Sequence, residues 1–362
     1  MRGVRVALLD RGEVSCGTTG LGEGNVLASD KDAGPELDLT IAGLAVYDEL
    51  DERLGAEARI RRKGALIVHP SEDTWAGEPA RVERLLAYGL RCGLIDAAEV
   101  RELEPELTGP LAGAAWFPDD LQCDPRAVAR ALAREAQAAG AELRTGCEVA
   151  AISVDRARRV RGVRLTDGAR IAAGSVVLAA GAWSRPLAET AGLELPLEPR
   201  WGQLVRLAAP RGGPGLIRRK VVDGSYLDSV TSPDPGLEVT TVLETTWNGD
   251  VLVGSSRARR GFDTAADPAV SEAMIARAAR LMPVVRDLPV AEAWAGLRPW
   301  LPDHLPAIGP SRVVPGLWVA TGHEGAGVAL GPVTGRLVAQ AYCGEAPTVG
   351  LAPFHPDRFA GQ

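Results

Sequence analysis

The feature that most constrains this 362-residue chain is a short apolar segment near its start that ends in a carboxylate. Residues 5–10, Arg-Val-Ala-Leu-Leu-Asp, predict a buried strand that closes at Asp10. In a nucleotide-binding βαβ unit such an acid binds ribose hydroxyls and follows a G-x-G-x-x-G turn by about 20 residues. Only nine residues precede Asp10, and they do not contain that turn. We expect either that the start of the chain was assigned too far downstream or that the glycine-rich turn was lost. The affinity for a nucleotide depends on which of these two explanations holds.

Composition excludes several classes of protein. Hydrophobic residues make up 46% of the chain, as in ordinary globular proteins, and the length is sufficient for two packed lobes. The net charge is −7, and the one basic stretch, residues 156–159, reads as a solvated turn, so we expect no nucleic-acid partner. No apolar run reaches the ~18 residues of a membrane span, and the first residues do not resemble a signal peptide. We expect a cytoplasmic protein, peripheral to the inner membrane only through partners.

The five cysteines and four histidines show no spacing typical of metal ligands. No two cysteines form a C-x-x-C pair. We therefore predict free thiols, no metal ion and no iron–sulfur cluster within this chain.

The pattern of secondary structure predicts a mixed α/β fold. Residues 36–54 repeat apolar positions at helical spacing, and Asp124-Pro125 begins a second helix that ends at Gly140. The apolar run 175–183 predicts a central strand covered on both faces of its sheet. Residues 200–260 alternate as in antiparallel β structure.

The β-rich middle of the chain is bracketed by nucleotide-type segments on both sides. We therefore predict a discontinuous, Rossmann-like cofactor lobe, truncated at its N-terminus, with an inserted antiparallel β-sheet substrate lobe. The cofactor lobe comprises residues 1–60, 124–198 and 296–362, and the substrate lobe comprises residues 61–123 and 199–295.

Four segments carry the candidate chemistry. Small residues at 15–25 let backbone N–H groups approach a flat or anionic ligand, although a glycine-rich surface loop has the same pattern. The second segment is the apolar strand that ends at Gly181, where a ring system could lie against the chain. Arg298, beside Pro299, suits bidentate binding of a carboxylate, although a structural salt bridge is the alternative. The segment 322–327, Gly-His-Glu-Gly-Ala-Gly, leads into a helix whose first N–H groups would stabilise negative charge.

Together and in this order, the four segments resemble the FAD-dependent amine and amino-acid oxidoreductases of the D-amino acid oxidase, glycine oxidase and sarcosine oxidase superfamily. The resemblance covers essentially the whole chain except its start. It looks closest to flavin subunits of the D-hydroxyproline dehydrogenase, opine oxidase and hydrogen cyanide synthase type. The segments behind this narrower resemblance are residues 22–25, 29–31, 34–37, 63–68, 251–257 and 261–263.

The resemblance implies contacts with FAD along most of the chain. Asp10 would bind the adenosine ribose, and Val149 would touch the adenine through its backbone. Other residues would face the pyrophosphate, the ribityl chain or the flavin ring: Thr18, Thr19, Gly24, Asn25, Gly181, Gly322, Gly325 and Gly327. The FAD should be non-covalent, because residues 312–322 contain no cysteine at the position where monomeric sarcosine oxidases attach flavin.

The resemblance also implies roles for three residues in catalysis. Arg298 would clamp the carboxylate of a small amine substrate. Tyr226 would cover the substrate, although a solvent-exposed loop tyrosine fits the sequence equally well. His323 would either contact the flavin or form a hydrogen bond within its loop.

The implied reaction is oxidation of the C–N bond of an amino or imino acid, with hydride transfer from the α-carbon to flavin N5 and an imine product. The electrons would pass to oxygen or, as the closer resemblance favours, to a partner subunit with an iron–sulfur cluster or a second flavin. Two alternatives stay open. The missing glycine turn supports a non-catalytic, degenerate subunit, whereas a 2-hydroxy-acid dehydrogenase would need a general base such as His304 or His323.

Overall fold

The computed structural model describes residues 3–210, 215–227 and 236–359. Within them the strands are β1 Ala7–Leu9, β2 Asn25–Val26, β3 Ile60–Arg62, β4 Ala65–His69, β5 Gly93–Asp96, β6 Gly113–Phe117, β7 Leu121–Cys123, β8 Glu142–Arg144, β9 Val149–Val154, β10 Val160–Leu165, β11 Arg170–Ala172, β12 Val176–Leu178, β13 Glu198–Leu207, β14 Lys220–Asp223, β15 Glu238–Thr245, β16 Val251–Arg257, β17 Val290–Trp300, β18 Ala307–Pro310 and β19 Leu317–Thr321. The α-helices are α1 Thr18–Leu21, α2 Pro35–Leu54, α3 Glu72–Trp75, α4 Glu78–Ala87, α5 Ala97–Leu103, α6 Pro125–Ala138, α7 Ser184–Thr190, α8 Pro268–Leu281 and α9 Gly327–Tyr342.

The largest element is a mixed sheet of eight strands in the order β17-β13-β16-β15-β14-β4-β6-β5. Neighbouring strands are antiparallel except β14 and β4, which are parallel. Helix α8 packs on β13, β15 and β16, and the buried side chains between them include Trp201, Val253 and Met274. This sheet positions Arg298, because β17 lies at its edge and pairs along its whole length with β13.

Two smaller sheets contain the parallel strands of the predicted cofactor lobe. Within the part of the chain that the structure describes, β1 pairs with β8 alone, and the second sheet has the order β12-β19-β18. The prediction that residues 175–183 form a central strand covered on both faces is wrong. Among the described residues β12 is an edge strand with β19 as its one neighbour, and Val177 is 48% exposed, so the face of β12 that carries Val177 is uncovered.

Two helices have a boundary where local signals predict one. Helix α2 ends at Gly55, which has the positive φ of +54° that favours glycine. Asp124 caps α6 by accepting hydrogen bonds from the N–H groups of Arg126 and Ala127. Helices α2, α6 and α9 line a cleft of about 500 Å³ with the apolar side chains of Val46, Leu50, Val128, Leu132 and Val328.

The mixed α/β class is confirmed. The boundaries of the two lobes stay a prediction, although the eight-stranded sheet draws its strands from residues 65–117 and 198–300. No helix in residues 3–210, 215–227 and 236–359 is both long enough and apolar enough to cross a bilayer.

Candidate active site

The guanidinium of Arg298 lies on one face of the eight-stranded sheet. Its Nη1 donates to the carbonyl oxygen of Ser256 at 2.9 Å, and its Nη2 lies 3.5 Å from Oγ of Ser255. A side chain at Gly202, on neighbouring strand β13, would occupy the space that this guanidinium fills. The glycine therefore allows the arginine to lie across β13 instead of pointing away from the sheet.

Arg298 is a cation that no described acid neutralises by direct contact. Burial, followed by the nearby charge of Arg257, lowers the pKa of Arg298 to about 10, so the group stays protonated at neutral pH. No carboxylate of the described residues lies within 4.0 Å of its nitrogens. Such a group favours an anionic ligand, because an unpaired charge away from water is costly.

Arg298, Tyr226 and Gly325, hereafter the Arg298 cluster, meet beside the N-terminus of α9. A β-carbon built at Gly325 would lie 3.9 Å from Nε of Arg298 and 4.0 Å from the hydroxyl oxygen of Tyr226. The guanidinium of Arg257 lies over the ring of Tyr226, 4.5 Å from its centroid. The folded chain therefore brings Tyr226 next to Arg298 and Gly325, which follow it in the sequence by 72 and 99 positions.

The loop before α9 is held by a buried ion pair. Glu324 has a positive φ of +45°, accepts a hydrogen bond from Nη1 of Arg200 at 2.7 Å and lies 3.1 Å from Nδ1 of His304. Burial alone would raise the pKa of Glu324, but the bond to His304 and the charges of Arg257 and Arg200 lower it below its ordinary value. The charged carboxylate thus fixes the residue that precedes Gly325.

His323 ties the same loop to helix α9. Its Nε2 lies 2.9 Å from Oγ1 of Thr334. Burial lowers the pKa of His323 to about 4, so the imidazole is neutral at neutral pH. This arrangement supports the hydrogen-bonding role in the loop over direct contact with the flavin.

The early glycine-rich loop packs against the strand that carries Arg298. Oγ1 of Thr18 donates to the carbonyl oxygen of Leu297 at 2.7 Å. Thr19 and Gly327 line the same cleft between α2, α6 and α9. The two glycine-rich segments of the sequence therefore meet in the folded chain.

Gly24 and Asn25 connect this loop to strand β7. A side chain at Gly24 would overlap the carbonyl oxygen of Cys123, so close pairing with β7 requires glycine there. Asn25 donates through Nδ2 to Oε2 of Glu23, whereas its buried Oδ1 accepts no hydrogen bond from the described residues.

The remaining predicted residues lie in the smaller sheets or at their ends. Oδ1 of Asp10 accepts a hydrogen bond from the N–H of Gly12 at 2.9 Å and so caps its own loop. Val149 pairs with Leu165 in the sheet formed by β9, β10 and β11. The carbonyl oxygen of Gly181 accepts from Oγ1 of Thr321, at the end of β19. Gly322 follows β19 with a φ of +84°, and the Leu301 side chain fills the space beside it. Through the described hydrogen bonds, none of these four residues is joined to the Arg298 cluster.

Several residues of the site escape the sequence pattern. Gly202 is opposite Gly296 only because of the β13–β17 register, which local sequence does not encode. Arg257 and Glu324 lie inside segments that the sequence already singles out, at 251–257 and 322–327. The available signal was a charged residue within each of these two segments.

The arrangement fits the flavin end of FAD. Gly325 has no neighbour closer than 3.9 Å to its β-carbon position, so a flat ring could approach the backbone there. The first N–H groups of α9 face the same end and suit a developing negative charge. The unpartnered Oδ1 of Asn25 offers a buried acceptor.

Comparison with known proteins identifies the family. The family model for FAD-dependent oxidoreductases designated DAO matches residues 1–341, so the chain belongs to this family. FAD is the cofactor of these proteins, and the resemblance inferred from sequence is confirmed.

Individual relatives cover different shares of the chain. Glycine oxidase of Geobacillus kaustophilus is 29% identical over 99% of this chain and 92% of the relative, and its crystal structure superposes with a TM-score of 0.88, covering 99% of this chain and 94% of that chain at 28% identity. Hydrogen cyanide synthase subunit HcnC of Pseudomonas aeruginosa is 29% identical over 89% of this chain and 74% of the relative. The bifunctional protein ThiO/ThiG of a Nostoc species is 32% identical over 73% of this chain, which spans only 37% of that protein's length.

Proposed function

We propose that this protein oxidises the C–N bond of a small amino or imino acid whose carboxylate binds Arg298. The observation that carries the proposal is the protonated guanidinium of Arg298, which faces Gly325 and Tyr226 without a carboxylate partner among the described residues. Relatives include proteins named glycine oxidase and D-amino acid dehydrogenase, whose names specify amino-acid substrates.

The residues of the Arg298 cluster supply binding and orientation. A guanidinium has five N–H donors, and contacts with Ser255 and Ser256 engage two of them, so others are available for a bidentate bond to a carboxylate. The hydroxyl oxygen of Tyr226 lies 4.0 Å from the β-carbon position of Gly325, and Tyr226 would cover the bound substrate. The chemistry that FAD supplies when bound is acceptance of the hydride equivalent from the α-C–H bond, and the imine product then leaves.

The positions of two histidines favour amine oxidation over oxidation of a 2-hydroxy acid. Removal of a hydroxyl proton needs a general base near the substrate. His304 is engaged with Glu324, and His323 lies against Thr334 with its pKa lowered to about 4 by burial.

The presence of the Arg298 cluster also argues against a non-catalytic subunit. Transfer of electrons to a partner subunit, non-covalent attachment of FAD and a cytoplasmic location stay predictions.

A substrate panel with an artificial electron acceptor tests the proposal. The holoenzyme should oxidise at least one member of a set comprising glycine, sarcosine, D- and L-proline and other amino acids. Arg298→Ala should lower kcat/KM for that substrate at least about 30-fold, mainly through KM, because a buried charge pair is lost. The absorbance of bound flavin near ~450 nm should be unchanged.

Arg164→Ala provides the matched control, because Arg164 is exposed on strand β10. This variant should keep the wild-type KM. An unchanged KM in Arg298→Ala would show that the carboxylate binds elsewhere, and oxidation of 2-hydroxy acids in place of amines would overturn the reaction class.

A further inference from the structure

The early loop places a second charged group, Glu23, near the Arg298 cluster. Oε2 of Glu23 accepts hydrogen bonds from Nδ2 of Asn25 and from Nζ of Lys220. The Lys220 side chain, in β14, is only 1% exposed and also lies 3.5 Å from a carboxylate oxygen of Glu244. Burial alone would lower the pKa of Lys220, but Glu23 and Glu244 more than offset this effect and raise it. A permanently charged lysine therefore fixes one oxygen of Glu23.

Glu23 and Arg298 lie on the same face of the eight-stranded sheet. A side chain at Gly254, on β16, would occupy the space of Oε1 of Glu23, just as one at Gly202 would overlap the Arg298 guanidinium. The Gly254 β-carbon position lies 3.2 Å from Cδ2 of Leu204. Leu204 and Gly202 are two residues apart on β13 and so share a face.

Because Gly202 and Gly254 have no side chains, two spaces are left on this face. The carboxylate of Glu23 fills one of them, and the guanidinium of Arg298 fills the other. The charge of Glu23 is among the causes that act on the pKa of Arg298, so the two opposite charges lie within electrostatic reach of each other on this face.

Each of the two charged groups retains binding capacity. Oε1 of Glu23 accepts no hydrogen bond from residues 3–210, 215–227 and 236–359, and Arg298 lacks a carboxylate partner in the same ranges. An α-amino acid carries a carboxylate and an amino group two bonds apart. Charge-assisted hydrogen bonds of ~2.8 Å, one from the amino group to Glu23 and one from Arg298 to the carboxylate, would let such a molecule bridge the two residues.

We propose that Glu23 binds the amino group of the substrate through Oε1 while Arg298 binds its carboxylate. Lys220 and Asn25 are positioning residues, because they hold the other oxygen. This pairing makes the site selective for amino acids over 2-hydroxy acids, since an amino group offers Oε1 of Glu23 more hydrogen-bond donors than a hydroxyl group does and can carry a positive charge. The inference rests on the proposed function and adds the group that recognises the amine.

Glycine, acetate and glycolate separate the two contacts, because they share a carboxylate and differ only in the group on the α-carbon, which is an amino group, a hydrogen atom and a hydroxyl group respectively. In the FAD-loaded enzyme, Glu23→Gln should lower kcat/KM for glycine about 30-fold and weaken glycine binding measured by calorimetry. The same variant should change the dissociation constant of acetate less than about twofold. Arg298→Ala should weaken the binding of glycine and acetate alike, since both need the guanidinium.

Two further variants guard against a purely structural effect. Glu23→Asp keeps the charge beside Lys220 but shortens its reach, so its loss should fall between wild type and Glu23→Gln. Glu13→Gln removes an exposed acid from the same loop and should leave the preference for glycine over acetate unchanged.

The outcomes distinguish the two proposals. If Glu23→Gln and Glu23→Asp both keep the wild-type preference for glycine over acetate, the role of Glu23 is refuted while amine oxidation at Arg298 still stands. If the wild-type holoenzyme neither binds these acids nor oxidises any amine of the panel, both proposals fail.

Discussion

Inner strands of the eight-stranded sheet and the strands β1 and β12 of the smaller parallel sheets differ in how completely they are covered. Every residue of β4, β14 and β16 is buried. In contrast, Leu8 of β1 is 51% exposed and Val177 of β12 is 48% exposed. The difference teaches that other described residues cover both faces of β4, β14 and β16, whereas β1 and β12 present apolar surface.

The same contrast holds for the charged residues of the two regions. On the large sheet, Lys220 pairs with Glu23 and Arg200 pairs with Glu324, and each pair fixes a loop beside the Arg298 cluster. On the small sheet, the side chain of Asp10 contacts only the N–H of Gly12 among the described hydrogen bonds. The geometry that would bind a carboxylate substrate is therefore set independently of Asp10.

The largest expected effect compares one leucine from each region. Leu66 of β4 is fully buried, so Leu66→Ala should lower the free energy of unfolding by about 2–5 kcal/mol. Leu8→Ala removes a half-exposed side chain and should cost less than about 1 kcal/mol. Urea unfolding followed by circular dichroism measures both values. A cost for Leu8→Ala as large as that for Leu66→Ala would mean that β1 is covered in solution, and the comparison would break.

A smaller effect is expected when the glycine beneath Arg298 is filled. Gly202→Ala should displace the guanidinium, the flexible end of its side chain, and so lower kcat/KM about 100-fold with little change in melting temperature. Steady-state kinetics with the preferred amino acid and a thermal melt separate these effects.

Gly93→Ala is the matched control, because Gly93 lies on β5 of the same sheet with nothing within 4 Å of its β-carbon position. This variant should keep wild-type kinetics. Equal kinetics for Gly202→Ala and wild type would show that Arg298 does not depend on the space above β13.

Local signals in the sequence predicted the helices well because capping and periodicity are encoded within a few residues. Asp124 before α6 and Gly55 after α2 are examples. The segment with Arg298 was also recognisable, since its composition suits carboxylate binding wherever the strand lies. The resemblance to a known family supplied the cofactor, which spacing alone could not specify.

Long-range pairing set the limit of these predictions. The edge position of β12 depends on which strands lie beside it, and an apolar run alone is equally compatible with a central strand. The contact of Glu23 with Lys220 joins residues 197 positions apart. Neither the β13–β17 register nor this ion pair produces a periodic pattern in the sequence. The contacts of Gly202 and Glu23 could therefore be recognised only in the folded chain.

The smallest predicted effect places acid sensitivity in the loop that connects the two regions. His323 follows β19 of the small sheet, and burial lowers its pKa to about 4, compared with about 6.5 in an unfolded chain. Because the unfolded state binds the proton first, the stabilisation is complete above pH 6.5 and is lost as pH falls towards 4. His323→Gln removes this titration and retains a side chain that can form a hydrogen bond with Thr334.

Between pH 7.5 and pH 5.5, the free energy of unfolding of the wild type, measured by urea unfolding, should fall about 1 kcal/mol more than that of the His323→Gln variant. Other titrating groups, such as Asp120, whose pKa burial raises to about 7, act in both proteins and cancel in this difference. A difference that does not change with pH would show that His323 is accessible to solvent, and the loop before α9 would then not be fixed as the structure describes.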